Sequence, residues 1–280
     1  MGAVQGVCEF FPVSSAGHVS LLGNIMGVQT DLFFMIMLHL GTLAAVVLYF
    51  RNEIIRCLKE LAGILTDLYY NFKQLFVRTE AVSGDAYYRK IISNNYRKLV
   101  LMLLVCMGPA ILAGAVLMPL AELLSSSVLS CGMGFFITAL ILLVASYAHK
   151  NRKGPKEAKY TDALMIGAFQ AVASFPGISR FAMTYCAGLF RGFSKKFAKL
   201  FSFLILIPSV VGAFFLEGAR SSWGAPAIGV LPSVFGMLAA MAVGYYVISF
   251  AMKLFEKVKL KTFSVYCFCI GAVSVIFYLI

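Results

Sequence analysis

The chain has 280 residues, 61% hydrophobic and 13% charged, with a net charge of +12. An apolar share that high with so few charges excludes a water-soluble globular domain. The basic residues lie between the apolar runs, so they read as topology signals, not as a nucleic-acid surface.

Several apolar runs approach the roughly 20 residues that a spanning helix needs. The expected fold is an all-α membrane protein, one integral-membrane domain over residues 1–280. It has six full transmembrane helices and two broken, re-entrant helical hairpins. The first hairpin covers about residues 2–28, its limbs too short to cross alone, and is interrupted at Phe11-Pro12-Val13-Ser14-Ser15-Ala16-Gly17-His18. A span follows at 32–50. Residues 53–98 are amphipathic and of mixed charge, and read as an interfacial or cytoplasmic helical excursion with Asp67-Leu68-Tyr69-Tyr70 as an anchor. Spans are expected at 98–121 and 128–148. The second hairpin covers about 163–190 and breaks at Phe175-Pro176-Gly177-Ile178-Ser179-Arg180. Spans at 200–217, 226–252 and 262–280 complete the chain. The seven cysteines are scattered without metal-ligand or disulfide spacing, and read as small apolar packing residues. No cleavable signal peptide is expected ahead of the first break.

Loop charge orients these elements. Bases cluster from Arg51 to Lys98, at Lys150–Lys159, at Arg191–Lys199 and at Lys253–Lys261, whereas 122–127 has none and 218–225 has only Arg220. With the basic loops inside, the six spans alternate without conflict. One hairpin plus three spans then occurs twice, upside down, as an inverted-topology repeat with halves at about 1–150 and 161–280. Gly2-Ala3-Val4-Gln5 matches Gly167-Ala168-Phe169-Gln170, and Phe11-Pro12 matches Phe175-Pro176 with a one-residue slip.

Opposed hairpins bring their tips together near the midplane. Ionisable groups there are costly and mark function, which singles out Glu9, His18 and Arg180. Ser14 or Ser15, and Ser179, are natural N-caps of the half-helices that start after each proline. Helix starts present unpaired N–H groups to phosphate or carboxylate, and Arg180 adds a guanidinium fork fitted to phosphate oxygens. Thr184 shares a face with Arg180, Ser15 with His18, and Gln5 with Glu9. A carboxyl held between burial, a helix end and an arginine suits general acid–base work. His39, on an unbroken span, reads as a hydrogen-bonded core residue, and His149, among loop bases, as solvated. There is no HExxH, GxGxxG, Walker or Asp-rich motif, so no tightly held metal is expected, although Glu9 with a phosphate can recruit Mg²⁺ or Ca²⁺.

Gln5-Gly6-Val7-Cys8-Glu9-Phe10-Phe11-Pro12-Val13-Ser14-Ser15-Ala16-Gly17-His18 resembles the first motif of the bacterial undecaprenyl-pyrophosphate phosphatase family, the integral-membrane type linked to bacitracin resistance. Pro176-Gly177-Ile178-Ser179-Arg180 resembles the start of its second motif. The resemblance implies hydrolysis of a C55 polyprenyl pyrophosphate to the monophosphate, recycling the lipid carrier for peptidoglycan at the outer face of the cytoplasmic membrane. It implies Glu9, Ser15, His18 and Arg180 as catalytic residues, and Gln5, Ser14, Gly177, Ser179 and Thr184 as substrate-binding residues. Ser15 is then the nucleophile or the hydroxyl that aligns one, and Glu9 or His18 its base. The partners are the polyprenyl pyrophosphate and the bilayer, and an oligomer is compatible with the sequence. Two departures stand out. The family continues Ser-Arg with Ser-Gly-Ala-Thr, where this chain has Phe181-Ala182-Met183-Thr184, which points to weakened or altered activity. The segment before Gly2 is also shorter than in the family. The rival expectation is a secondary transporter or flippase of a phosphorylated lipid on the same repeat, which needs the arginine but not a base paired with a hydroxyl.

Overall fold

The computed structural model describes residues 1–28, 30–76, 88–125, 127–148, 152–220 and 227–279. His149, Lys150 and the 221–225 part of the loop near 218–225 lie outside the described residues. Among those described the chain is all helical, with one isolated bridge between Lys153 and Phe193. The helices are α1 (Gly2–Cys8), α2 (Ser15–Ile25), α3 (Leu32–Tyr49), α4 (Arg51–Phe76), α5 (Asn95–Ser125), α6 (Val128–Ser146), α7 (Tyr160–Val172), α8 (Arg180–Phe190), α9 (Lys195–Arg220), α10 (Val230–Lys257) and α11 (Leu260–Leu279). Stretches of α3, α5, α6, α9, α10 and α11 are each long and apolar enough to cross a membrane. The chain is a multi-pass membrane protein. Each short pair, α1–α2 and α7–α8, is a helix, a break and a helix.

The breaks fall where the backbone demands them. Pro12 and Pro176 lack the amide that a continuing helix would use. Ser14 and Ser179 then restart the chain as N-caps, their hydroxyls accepting from Gly17 N and Ala182 N at 3.3 and 3.1 Å. Both pairs fold back on themselves. The buried Asp162 at the start of α7 accepts from Arg191 Nε, just past α8, at 2.7 Å, and its other oxygen stands 3.6 Å from Lys153 Nζ. At the first pair, the Met1 side chain reaches Gly23 near the end of α2.

The helix pairing agrees only in part with the repeat expected from the sequence, since α3 packs far more extensively on α10 than α9 does on α5. That expected repeat would exchange α1–α2 with α7–α8, α3 with α9, α5 with α10 and α6 with α11. In keeping with it, α1 packs on α10 as α7 packs on α5, and α6 pairs with α11 and α3 with α9. The sequence-matched glycines do the same work in each half. A Cβ on Gly2 would lie 2.3 Å from Gly236 O of α10, and one on Gly167 would lie 2.2 Å from Cys106 O of α5. Small residues at such contacts let helix backbones approach where lipid offers no hydrophobic drive.

Helix α4 lies outside the six spans. Its Asp67 accepts from Arg97 Nη1 at 2.6 Å and Arg89 Nη1 at 3.3 Å, and its Glu60 accepts from Arg97 Nε at 3.1 Å. Arg56 stacks over the Tyr96 ring at 3.8 Å. Leu65, Leu68, Tyr69, Phe72 and Leu75 form an exposed apolar face on the same helix, as an interfacial helix requires. Asp67 is therefore a docking group for the start of α5 and the segment before it, and Tyr69 is the exposed aromatic.

Candidate active site

The two breaks meet. Gly17, in the first turn of α2, stands so close to the second break that a Cβ on it would lie 3.0 Å from Gly177 Cα. Gly177 has φ +78°, and a Cβ there would lie 2.1 Å from Cys131 O, so this turn needs glycine on two counts. Helix α6 holds the second break from beneath. Thr138 Oγ1 donates to Gly134 O at 3.0 Å or Gly177 O at 3.2 Å, and accepts from Ser179 N at 3.0 Å. Helix α11 holds the first break, through Cys267 Sγ to Pro12 O at 3.6 Å. Ser14, at φ 63°, is the one non-glycine residue with positive φ among those described. Strain of that kind gathers at functional sites.

Glu9 caps the C-terminal end of α1 and is buried. Its Oε2 accepts the Ser15 hydroxyl and the Gln5 amide, the latter at 2.8 Å. Gln5 Nε2 also lies 2.7 Å from His39 Nδ1, and so bridges Glu9 and His39 as a two-hydrogen donor. Glu9, Arg180 and Thr184 line one small cavity with Gln170, Phe181, Ser202, Phe203, Ile205 and Leu206. Thr184 Oγ1 back-bonds to Arg180 O at 3.1 Å, and Arg180 itself is partly buried. An acid with a hydroxyl bonded to it thus shares a cavity with a guanidinium from the other half of the chain.

His18 points elsewhere. Its Nδ1 lies 2.7 Å from Ser14 O and its Nε2 2.8 Å from the Tyr266 hydroxyl, with the two rings stacked at 5.7 Å. Ser15 and His18 leave the same helix but engage different partners. The base facing Ser15 is Glu9. Ser14 and Ser179 cap the half-helices, and Gly177 shapes the second turn. Phe181 is buried among Tyr185, Phe203 and Phe255, with its ring 4.8 Å from that of Phe203. Ala182 takes an ordinary helical backbone inside α8, so replacing glycine there introduces no strain.

Three contributions escaped the sequence reading. His39 is hydrogen-bonded as expected, but its partner is Gln5, and Nδ1 stands 3.5 Å from Glu9 Oε2. A lone histidine in a span was the available signal. Thr138 carried none. Gln170 was visible as the repeat mate of Gln5, and both are buried glutamines whose Oε1 lacks a partner.

The sequence matches the family described as bacitracin resistance protein BacA over residues 1–273. The chain belongs to this family. Among relatives, the undecaprenyl-diphosphatase of Alkaliphilus metalliredigens is 32% identical, with 100% of this chain and 97% of that protein covered. The undecaprenyl-diphosphatase of Methanobrevibacter smithii is 32% identical over 98% of this chain and 94% of its own. Undecaprenyl-diphosphatase 4 of Bacillus thuringiensis subsp. konkukian is 32% identical over 97% and 92%.

Proposed function

We propose that this BacA-family protein is an undecaprenyl-diphosphatase, cleaving the lipid pyrophosphate to undecaprenyl phosphate and inorganic phosphate. The observation that carries the reading is the Ser15 hydroxyl donated to Glu9 Oε2, with Arg180 on the same cavity as that carboxylate. A carrier of a phosphorylated lipid has use for the arginine. It has none for a carboxylate set against a hydroxyl.

In this reading the terminal phosphate lies against Ser15 and Arg180. Ser15 Oγ attacks the terminal phosphorus as Glu9 takes its proton. The bond to the bridging oxygen breaks, and undecaprenyl phosphate departs with the proton from Glu9. Water then attacks the phosphoserine, giving its proton to Glu9 and freeing inorganic phosphate and Ser15. Arg180 and the amides at the starts of α2 and α8 hold the charge spread over the phosphoryl oxygens. Gln5 and His39 orient Glu9. His18, bonded to Tyr266, fixes the first turn of α2. Glu9 offers one carboxylate to a divalent ion, enough for Mg²⁺ or Ca²⁺ only when pyrophosphate oxygens supply most of the shell. The loop charges favour the basic loops on the inside, and in this reading the membrane is the bacterial cytoplasmic membrane and the site opens to the exterior.

The test is phosphate release from undecaprenyl pyrophosphate by the purified protein. Release by the native chain, reduced about 100-fold or more in Glu9→Gln and Ser15→Ala, is the expected result. Unaltered release in both variants, or binding of the lipid by the native protein without cleavage, overturns it.

A further inference from the structure

The cavity shared by Glu9 and Arg180 has two buried polar atoms with no partner, Gln170 Oε1 and Ser202 Oγ. Gln170 is 6% and Ser202 3% exposed. One end of the Gln170 amide is engaged by a neighbour. Its Nε2 donates to Ser209 Oγ at 2.6 Å, and that hydroxyl's own proton goes to Ile205 O at 2.6 Å. With Nε2 on Ser209, Oε1 is left as the unpartnered acceptor of this amide. Ser202, Ile205, Leu206 and Ser209 fall on one stripe of α9, which sets the serine and the glutamine's anchor on the same wall.

Buried acceptors and hydroxyls without partners are rare in folded proteins and call for a ligand. The cavity measures about 10 Å³, about the size of one water and far too small for a pyrophosphate. Phe181, Phe203, Ile205 and Leu206 make the rest of its wall apolar. We propose that this cavity is the seat of the hydrolytic water, with Gln170 and Ser202 as its positioning residues. This rests on the phosphatase reading above and supplies its second step. The water donates one hydrogen to Gln170 Oε1 and the other to the Glu9 carboxylate, and accepts from Ser202 Oγ. One lone pair stays free for phosphorus. As its oxygen bonds to phosphorus and the Ser15–phosphorus bond breaks, Glu9 takes the proton and passes it to Ser15 Oγ. Phe181 closes the wall, so that one water enters and larger nucleophiles do not.

The experiment follows single turnovers of undecaprenyl pyrophosphate in water and in aqueous methanol, with the native protein, Gln170→Met and Ser202→Ala. Gln170→Met keeps length and removes the acceptor, and Ser202→Ala removes only a hydroxyl. The expected result is an intact burst of undecaprenyl phosphate in both variants, which also shows that the site is folded. Phosphate release should be at least tenfold slower, with phosphate retained on Ser15. The ratio of methyl phosphate to inorganic phosphate should rise at least threefold above that of the native protein. Native rate and native ratio in either variant overturn the proposal, as does loss of the burst in both, which would assign these residues to substrate binding or packing. If the native protein itself releases no phosphate, the phosphatase reading fails, and with it the reaction that this water serves.

Discussion

Gly17 and Gly177 stand backbone to backbone, one from each break, with room for a side chain on neither. That contact joins the start of α2 to the second break and so fixes Ser15 relative to Arg180. Neither residue carries chemistry. Their missing side chains allow the carboxylate–hydroxyl pair of the first half and the guanidinium of the second to serve one cavity.

Replacing Gly177 by alanine should therefore be costly twice. Its positive φ disfavours any Cβ by about 1–2 kcal/mol, and the Cβ would collide with Cys131 O. Gly27, also at positive φ but with open space around it, is the control that carries the backbone cost alone. Gly177→Ala should lower the melting temperature more than Gly27→Ala and reduce turnover at least tenfold. Equal melting temperatures would mean that the second break is not packed as described.

Gln5 and His39 act on Glu9 without facing the cavity themselves. Gln5→Leu and His39→Leu should each lower kcat about tenfold with little change in KM, because the carboxylate loses its orientation and not its charge. Steady-state kinetics separates the outcomes. A rise in KM at constant kcat would place these residues in substrate binding.

Phe181 occupies the place where the family pattern has serine. Phe181→Ser removes a buried ring that contacts Tyr185, Phe203 and Phe255, a loss on the order of 3 kcal/mol or more. It also opens the cavity wall. Denaturation in detergent should show the lower stability, and kcat/KM should change. An unchanged kcat/KM would remove Phe181 from the site.

Outside the spans, hydrogen bonds from Arg97, and secondarily from Arg89, hold the Asp67 carboxyl below the usual carboxylate range against the opposing effect of burial. A group with a depressed folded pKa stabilises fully above its unfolded value, about 3.9. The contribution fades as pH falls through the folded value. Docking of α4 onto the 88–97 segment should therefore loosen below about pH 4, and Asp67→Asn should abolish that pH dependence. Hydrogen exchange across α4 reads this directly. Protection that is unchanged from pH 6 to pH 3 in the native chain would contradict it.

Much of this molecule is written locally. Apolar run length gave the six spans, although α5 and α9 start earlier, at Asn95 and Lys195, and α10 runs on to Lys257. Proline followed by serine gave both breaks and their caps, because N-capping is decided within three residues. Helical spacing placed Gln5 with Glu9 and Arg180 with Thr184. It also paired Ser15 with His18, and there it misled, since Tyr266 lies far along the chain and draws the imidazole away. Thr138, His39 and Ser202 belong to the site because of how spans register against the breaks. Register between distant helices leaves no mark in a single sequence.

The central claim is that Glu9 and Arg180, from opposite halves, work on one pyrophosphate. A double-mutant cycle on kcat/KM for undecaprenyl pyrophosphate, with Glu9→Gln, Arg180→Lys and the combined variant, measures this most directly. Groups that act as a unit lose function non-additively. The combined variant should be no more than a few-fold slower than the slower single variant. Losses that multiply in full would mean that the two residues act independently and that no shared site joins the two breaks.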